Sequence, residues 1–115
     1  MIDEHDRRYL VYIQESIALI DARTRRGRDD FLSTVDMQDA VLWRLQTLAE
    51  ATGKLSQQLK DRHPEIRWRA IYGFRNIAAH AYFSLRLERV WEIVEDHLPA
   101  LKAVVDQELW EAESS

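Results

Sequence analysis

Apolar residues recur along this 115-residue chain at steps of three and four, the spacing that gathers them on one face of an α-helix. Leu10, Ile13, Ile17 and Ile20 form the first such stripe. It closes in the basic run Arg23-Thr24-Arg25-Arg26 followed by Gly27, a cationic last turn with a glycine stop. Residues Arg28 to Val35 carry no clear stripe and read as a loop or a short turn of helix. A second helix starts at Asp36, a candidate cap for free amides, with Asp39 adding negative charge in the first turn. Val41, Leu45, Leu48, Thr52, Leu55 and Leu59 then repeat at alternating steps of four and three, a stripe suited to antiparallel bundle packing. Pro64 stops this helix, because the residue before a proline resists helical geometry.

A third helix begins near Ile66 to Trp68, with Ile71, Phe74, Ala78 and Ala81 on one face. The fourth starts around Leu87 and turns Val90, Trp91, Val94, Leu98, Leu101 and Val105 inward. Pro99 lacks an amide donor and requires a kink or a restart. The pattern predicts an all-α, up-down bundle of four to five helices forming a single domain over residues 1–115. Its aromatic content exceeds what one small core holds comfortably: Trp43, Trp68, Trp91 and Trp110 stand beside Tyr9, Tyr12, Tyr72 and Phe74. Aromatic residues are enriched at interface centres, so a homodimer is expected.

Composition narrows the class. Hydrophobic residues make up 46% and charged residues 31%, the mixture of a folded globular protein. With no cysteine, disulfide scaffolds, thiolate zinc sites and cysteine nucleophiles are excluded. The acidic start Met1 to Asp6 lacks the order of a signal peptide, and no apolar run approaches the roughly 20 residues that cross a bilayer. A cytoplasmic protein with no membrane contact is expected. His5, His63 and His97 have no metal-ligand spacing, and no glycine-rich phosphate loop is present, so neither a metal nor a cofactor is expected.

Net charge is −4, yet its distribution is uneven. Between Arg62 and Arg89, six arginines face two glutamates, a local +4. From Val90 onward, seven acidic residues face only Lys102. Arginine outnumbers lysine 13 to 3, and its planar fork of donors suits phosphate.

The stretch Gly73 to Phe83 is polar where a bundle helix should be bland. At about 100° per residue, Asn76, His80 and Phe83 share one stripe, with Arg75, Ala79 and Tyr82 on the next. Arg75 and His80 lie about 140° apart and roughly 7.5 Å along the axis. Both reach one atom only if the long arginine bends around or a second copy supplies the other half. Ala78, Ala79 and Ala81 would let another backbone come close. A guanidinium with an imidazole suits phosphodiester cleavage: histidine moves protons near neutral pH, and arginine stabilises charge growing on phosphate oxygens.

The spacing Arg75-x4-His80-x-Tyr82 resembles the motif of HepT-like proteins in the HEPN superfamily. The resemblance extends through Pro64-Glu65-Ile66-Arg67-Trp68-Arg69, Gly73-Phe74-Arg75-Asn76 and Tyr82-Phe83. It continues in Val90-Trp91, His97-Leu98-Pro99-Ala100-Leu101, Asp36-Met37-Gln38-Asp39-Ala40-Val41 and Ala49-Glu50-Ala51. One position departs: Ala81 stands where the family commonly carries an acidic residue. The resemblance implies a HEPN-like homodimer serving as the toxin of a type II/VII-like toxin–antitoxin pair. It further implies metal-independent endoribonuclease activity, with the Arg and His of two protomers meeting in a cleft. Carried over, Arg75 and His80 are catalytic, Asn76 orients one of them, and Tyr82 is adenylylated by an antitoxin, a minimal nucleotidyltransferase of the MNT type. The alternative is a non-catalytic subunit that binds a nucleotide or docks that nucleotidyltransferase.

Overall fold

The structure is a computed structural model that describes residues 2–84 and 86–114, without the side chains of 81–84. Among the described residues all regular structure is helical: α1 (Glu4–Thr24), α2 (Arg28–Ser33), α3 (Val35–Lys54), α4 (Gln57–Asp61), α5 (Trp68–Ser84), α6 (Leu87–Asp96) and α7 (Leu98–Ser114). The sequence pattern implied four to five helices. Five of these seven are long, and α2 and α4 are short segments of six and five residues.

Helix α1 is capped by Asp3, whose carboxylate accepts the Asp6 amide at 2.8 Å. Its anticipated stripe is buried throughout, Leu10, Ile13, Ile17 and Ile20 being at most 1% exposed. Past Thr24 the chain turns at Gly27, whose φ of +100° is a conformation only glycine adopts without strain. The stretch read as a loop or a short helical turn is α2, which buries Phe31 against Trp91 at 5.7 Å between ring centroids.

Two corrections concern the next helix. Asp36 is not the cap: Thr34 holds that position with extended backbone, and Asp36 lies in the first turn, where its charge still complements the helix dipole. Nor does one helix run to Pro64. Leu55 turns extended, with ψ of 147°, and Ser56 caps a new helix by accepting the Leu59 amide. Buried Asp6 fixes the break by accepting the Ser56 amide at 2.8 Å and the Ser56 hydroxyl at 2.5 Å. Leu55 and Leu59 are buried on either side of the interruption, so the stripe survives without a continuous helix.

Helix α3 is central, packing along α1 on one side and α5 on the other, while α7 closes against α1 and α6 bridges α5 and α7. Ile71, Phe74 and Ala78 of α5 are buried as the pattern implied, and the Ala81 side chain of the same stripe lies outside the described residues. At Pro99 the chain restarts: α6 ends at Asp96, and the proline falls in the first turn of α7, where no amide donor is needed. Trp91, read as an inner position, is half-buried, while Ile93 takes the fully buried place.

A polar knot, buried at His63 and Glu108, ties the residues that follow α4 to the last helix. Glu108 on α7 accepts from Arg62 Nη2 at 2.6 Å and from His63 Nε2 at 2.6 Å. Burial pushes the Glu108 carboxyl up, but the Arg62 and His63 hydrogen bonds outweigh it and hold the group below its ordinary value.

Candidate functional site

The polar segment lies in the second half of α5, which is helical through Ser84, so the angular relations worked out from the sequence apply to the observed backbone. Phe74 and Ala78 anchor one face of this helix in the core, Phe74 lying edge-on to His97 at 5.0 Å. That anchoring turns Asn76, Ala79 and His80 to the exposed side.

Arg75 is held from three directions. Its Nε lies 3.0 Å from Glu50 Oε1 of α3. Its guanidinium carbon stands 3.9 Å from the centre of the Tyr72 ring, and Nη1 donates to the Tyr72 carbonyl at 3.2 Å. Stacking on an aromatic face and pairing with a carboxylate together fix a planar guanidinium in orientation as well as place. The Tyr72 ring is set in turn by Gly53: a Cβ there would run into the ring, coming within 2.7 Å of Cδ1. Glycine near the end of α3 therefore lets the ring sit where Arg75 can stack on it.

The Arg75 side chain thus folds back toward the amino-terminal end of α5. His80 stands about 7.5 Å further along the axis. The structure brings Arg75 together with Glu50 and Tyr72, and it places Asn76 and His80 on exposed helix surface. The Tyr82 side chain lies outside the described residues. Beside the segment, Ala78 and Ala79 line a shallow groove with Leu42 and Trp43 of α3. Trp43 is 62% exposed there.

Glu50, Gly53 and Tyr72 received no functional role from the sequence. Tyr72 was within reach of such reasoning, because residues three apart on a helix are neighbours and an aromatic three positions before an arginine can lie beneath it. Glu50 was not, since its pairing depends on how α3 packs against α5. The remaining histidines have local duties: His63 donates to Glu108, and His5 donates through Nε2 to the Lys54 carbonyl at 2.7 Å. Among the described residues, no group of three or more His, Asp or Glu could hold a metal ion. No described helix is long and apolar enough to cross a membrane.

A guanidinium of fixed orientation on the same helix as exposed amide and imidazole groups supplies the residue types that hold a phosphodiester and move its protons. Comparison with known proteins agrees in kind. The family model described as "Ribonuclease HepT-like" matches residues 13–108. "Probable ribonuclease HepT" of Thermococcus cleftensis is 37% identical over 95 residues, covering 82% of this chain and 86% of that protein. "Gamma-glutamylcyclotransferase and putative RNase" of Methanocaldococcus jannaschii is 35% identical over 95 residues, again 82% of this chain, but the match spans only 43% of that longer protein. No solved structure matches the chain. With most of its helical core and the whole Arg75/His80 helix inside the match, the chain belongs to the HepT-like ribonuclease family.

Proposed function

We propose that this protein is the toxin of a toxin–antitoxin pair: a homodimeric, metal-independent endoribonuclease of the cytoplasm whose site is pooled from two copies of α5. The observation that carries the reading is the fixed Arg75 guanidinium, stacked on Tyr72 and paired with Glu50, on the same helix as exposed Asn76 and His80. Because Arg75 folds back along its own helix, a groove between two copies is the simpler way to bring a guanidinium and an imidazole to one phosphate. In that groove His80 of one copy removes the proton from a ribose 2′-hydroxyl. The 2′ oxygen attacks phosphorus, the bond to the 5′ oxygen breaks, and the leaving oxygen takes a proton from His80 of the other copy. The products are a 2′,3′-cyclic phosphate and a free 5′-hydroxyl. Arg75 stabilises the charge that grows on the non-bridging oxygens, and Asn76 orients the groups around it. Tyr82, two residues past His80, is the site at which an MNT-type nucleotidyltransferase antitoxin attaches adenylate, whose bulk and charge block the groove.

The deciding experiment is cleavage of single-stranded RNA by the purified protein in excess chelator. Cleavage should persist in chelator, and His80→Ala should lower it by at least about a hundredfold, the usual contribution of a proton-transferring side chain. Unchanged cleavage in that variant removes His80 from the mechanism. For regulation, the intact mass of the protein should rise by one or more adenylate units after incubation with a nucleotidyltransferase partner and ATP. If Tyr82→Phe gains the same mass, another residue is the target. A second reading, a non-catalytic subunit that docks the nucleotidyltransferase, is favoured by one observation: Glu50 already compensates the Arg75 charge. Under that reading the wild-type protein leaves RNA intact.

A further inference from the structure

A cleft of about 470 Å³ opens at the start of α5, walled by Gly53, Gln57, Lys60, Trp68, Arg69 and Tyr72. It adjoins the candidate catalytic group directly, for the Tyr72 ring that forms one of its walls is the ring on which Arg75 stacks. Arg69 and Arg75 are separated by about 9 Å along the helix axis. The cleft is built rather than incidental. The Trp68 indole N–H is shared between the Lys60 and His63 carbonyls, at 3.2 and 3.1 Å, which pins the end of α4 to the start of α5. The opposite wall is fixed where the Tyr72 ring rests on Gly53.

Its chemistry is one-sided. Two cations, half-buried Lys60 and exposed Arg69, face the opening, and no acidic residue is among those lining it. The nearby Asp61 is engaged by the Gln57 amide at 2.8 Å. Trp68 contributes an indole whose polar atom is already satisfied, leaving apolar ring surface toward the cleft. Cations beside an aromatic surface in a preformed cleft match the pattern by which proteins hold single-stranded nucleic acid, backbone on the cations and base on the ring.

We propose that this cleft holds the nucleotide neighbouring the scissile phosphate of a single-stranded RNA, with its phosphate on Lys60 and Arg69 and its base against the Trp68 indole. The assignment rests on the ribonuclease reading for what happens at Arg75, but the cleft can be tested without cleavage. The strand enters at the amino-terminal end of α5, passes Tyr72 and reaches Arg75. It follows the basic segment that sets the middle of this acidic protein apart.

The probe is a twelve-nucleotide single-stranded RNA with 2′-O-methyl riboses, which has no free 2′-hydroxyl to attack, titrated into the full-length protein at several salt concentrations. The doubly substituted variant Lys60→Ala/Arg69→Ala should bind about tenfold more weakly at low salt. The slope of log affinity against log salt should fall by about 1.4, or 0.7 for each phosphate of the single strand that no longer meets a cation. Lys102→Ala, on the far helix α7, should match wild type in both. Binding by the double variant equal to wild type, or no binding by wild type, overturns the proposal. So does weaker binding that sedimentation traces to dissociation of a dimer, because the cleft would then be a subunit interface. The two readings fail separately. A protein that binds through Lys60 and Arg69 yet cuts nothing keeps the cleft and loses the nuclease. One that cuts RNA, with the double variant equal to wild type in binding and cutting, keeps the nuclease and loses the cleft.

Discussion

Four residues decide where the Arg75 guanidinium sits, and only one of them is charged in the opposite sense. Glu50 supplies an anion in ion-pair contact, Tyr72 a flat surface, and Gly53 the absence of a Cβ that would displace that surface; Phe74, buried next to Arg75 in sequence, holds the helix itself. Gly53→Ala separates position from stability. Alanine is favoured over glycine within a helix by up to about 1 kcal/mol, and Tyr72 is exposed enough to swing aside. The variant should therefore melt within a few degrees of wild type, while RNA cleavage falls about tenfold or more, since small misplacements of a catalytic group are costly. Equal cleavage by the two proteins would show that the Tyr72 stack does not set the working position of Arg75. The motif was legible as a sequence because its members lie within one helix. The Glu50 pairing was not, because it joins residues 25 positions apart through the packing of α3 on α5.

At the scale of elements, the short helix α4 shows how a single polar residue overrides an apolar pattern. The stripe through Leu55 and Leu59 would fit an unbroken helix, yet α3 ends at an extended Leu55 and Ser56 caps the next helix. Ser56 is bound by Asp6, fifty residues earlier in the chain. Ser56→Ala removes both the cap and a partner of a buried carboxylate, at a cost of roughly 1–2 kcal/mol. Urea titration should show a lower midpoint at unchanged slope. No shift in the midpoint would mean that the Ser56 backbone amide alone sustains the break. The restart at Pro99 was readable from the sequence, because proline acts through its own covalent structure. The break at Ser56 was not, because serine is a common residue within helices as well as at their caps, and here the Asp6 carboxylate from α1 selects the capped arrangement.

Across the whole molecule, the knot of Arg62, His63 and Glu108 fastens the α4 region to α7 and gives stability a pH dependence. The Glu108 carboxyl is held below its ordinary value in the folded state, so its contribution is fully present above the unfolded-state value. That contribution is lost as pH falls through the folded value. Glu108→Gln should flatten this acid limb in denaturation midpoints recorded between pH 3 and 7. A slope identical to wild type would assign the acid sensitivity to other carboxylates. The proposed two-copy site makes its own demand on the molecular surface. Trp43 is 62% exposed on the α3 side of the groove beside Ala78 and Ala79, a place suited to a second copy of α5. Sedimentation at micromolar concentration should give a dimer for wild type and a monomer for Trp43→Lys, with cleavage abolished alongside. A Trp43→Lys protein that stays dimeric and active would put the subunit interface elsewhere.

Sequence alone determined the helical class, the buried stripes of α1, α3 and α5, the restart at Pro99 and the family motif. Each of these follows from local periodicity, covalent geometry or residues sharing one helix. Tertiary structure decided which faces meet: Glu50 against Arg75, Asp6 against Ser56, Glu108 against Arg62 and His63, and the cleft that Lys60 shares with Arg69. The physical reason is that helical periodicity states which way a side chain points around its own axis. It does not state which neighbour lies there, and pairings between distant residues exist only once the packed helices have fixed that neighbour.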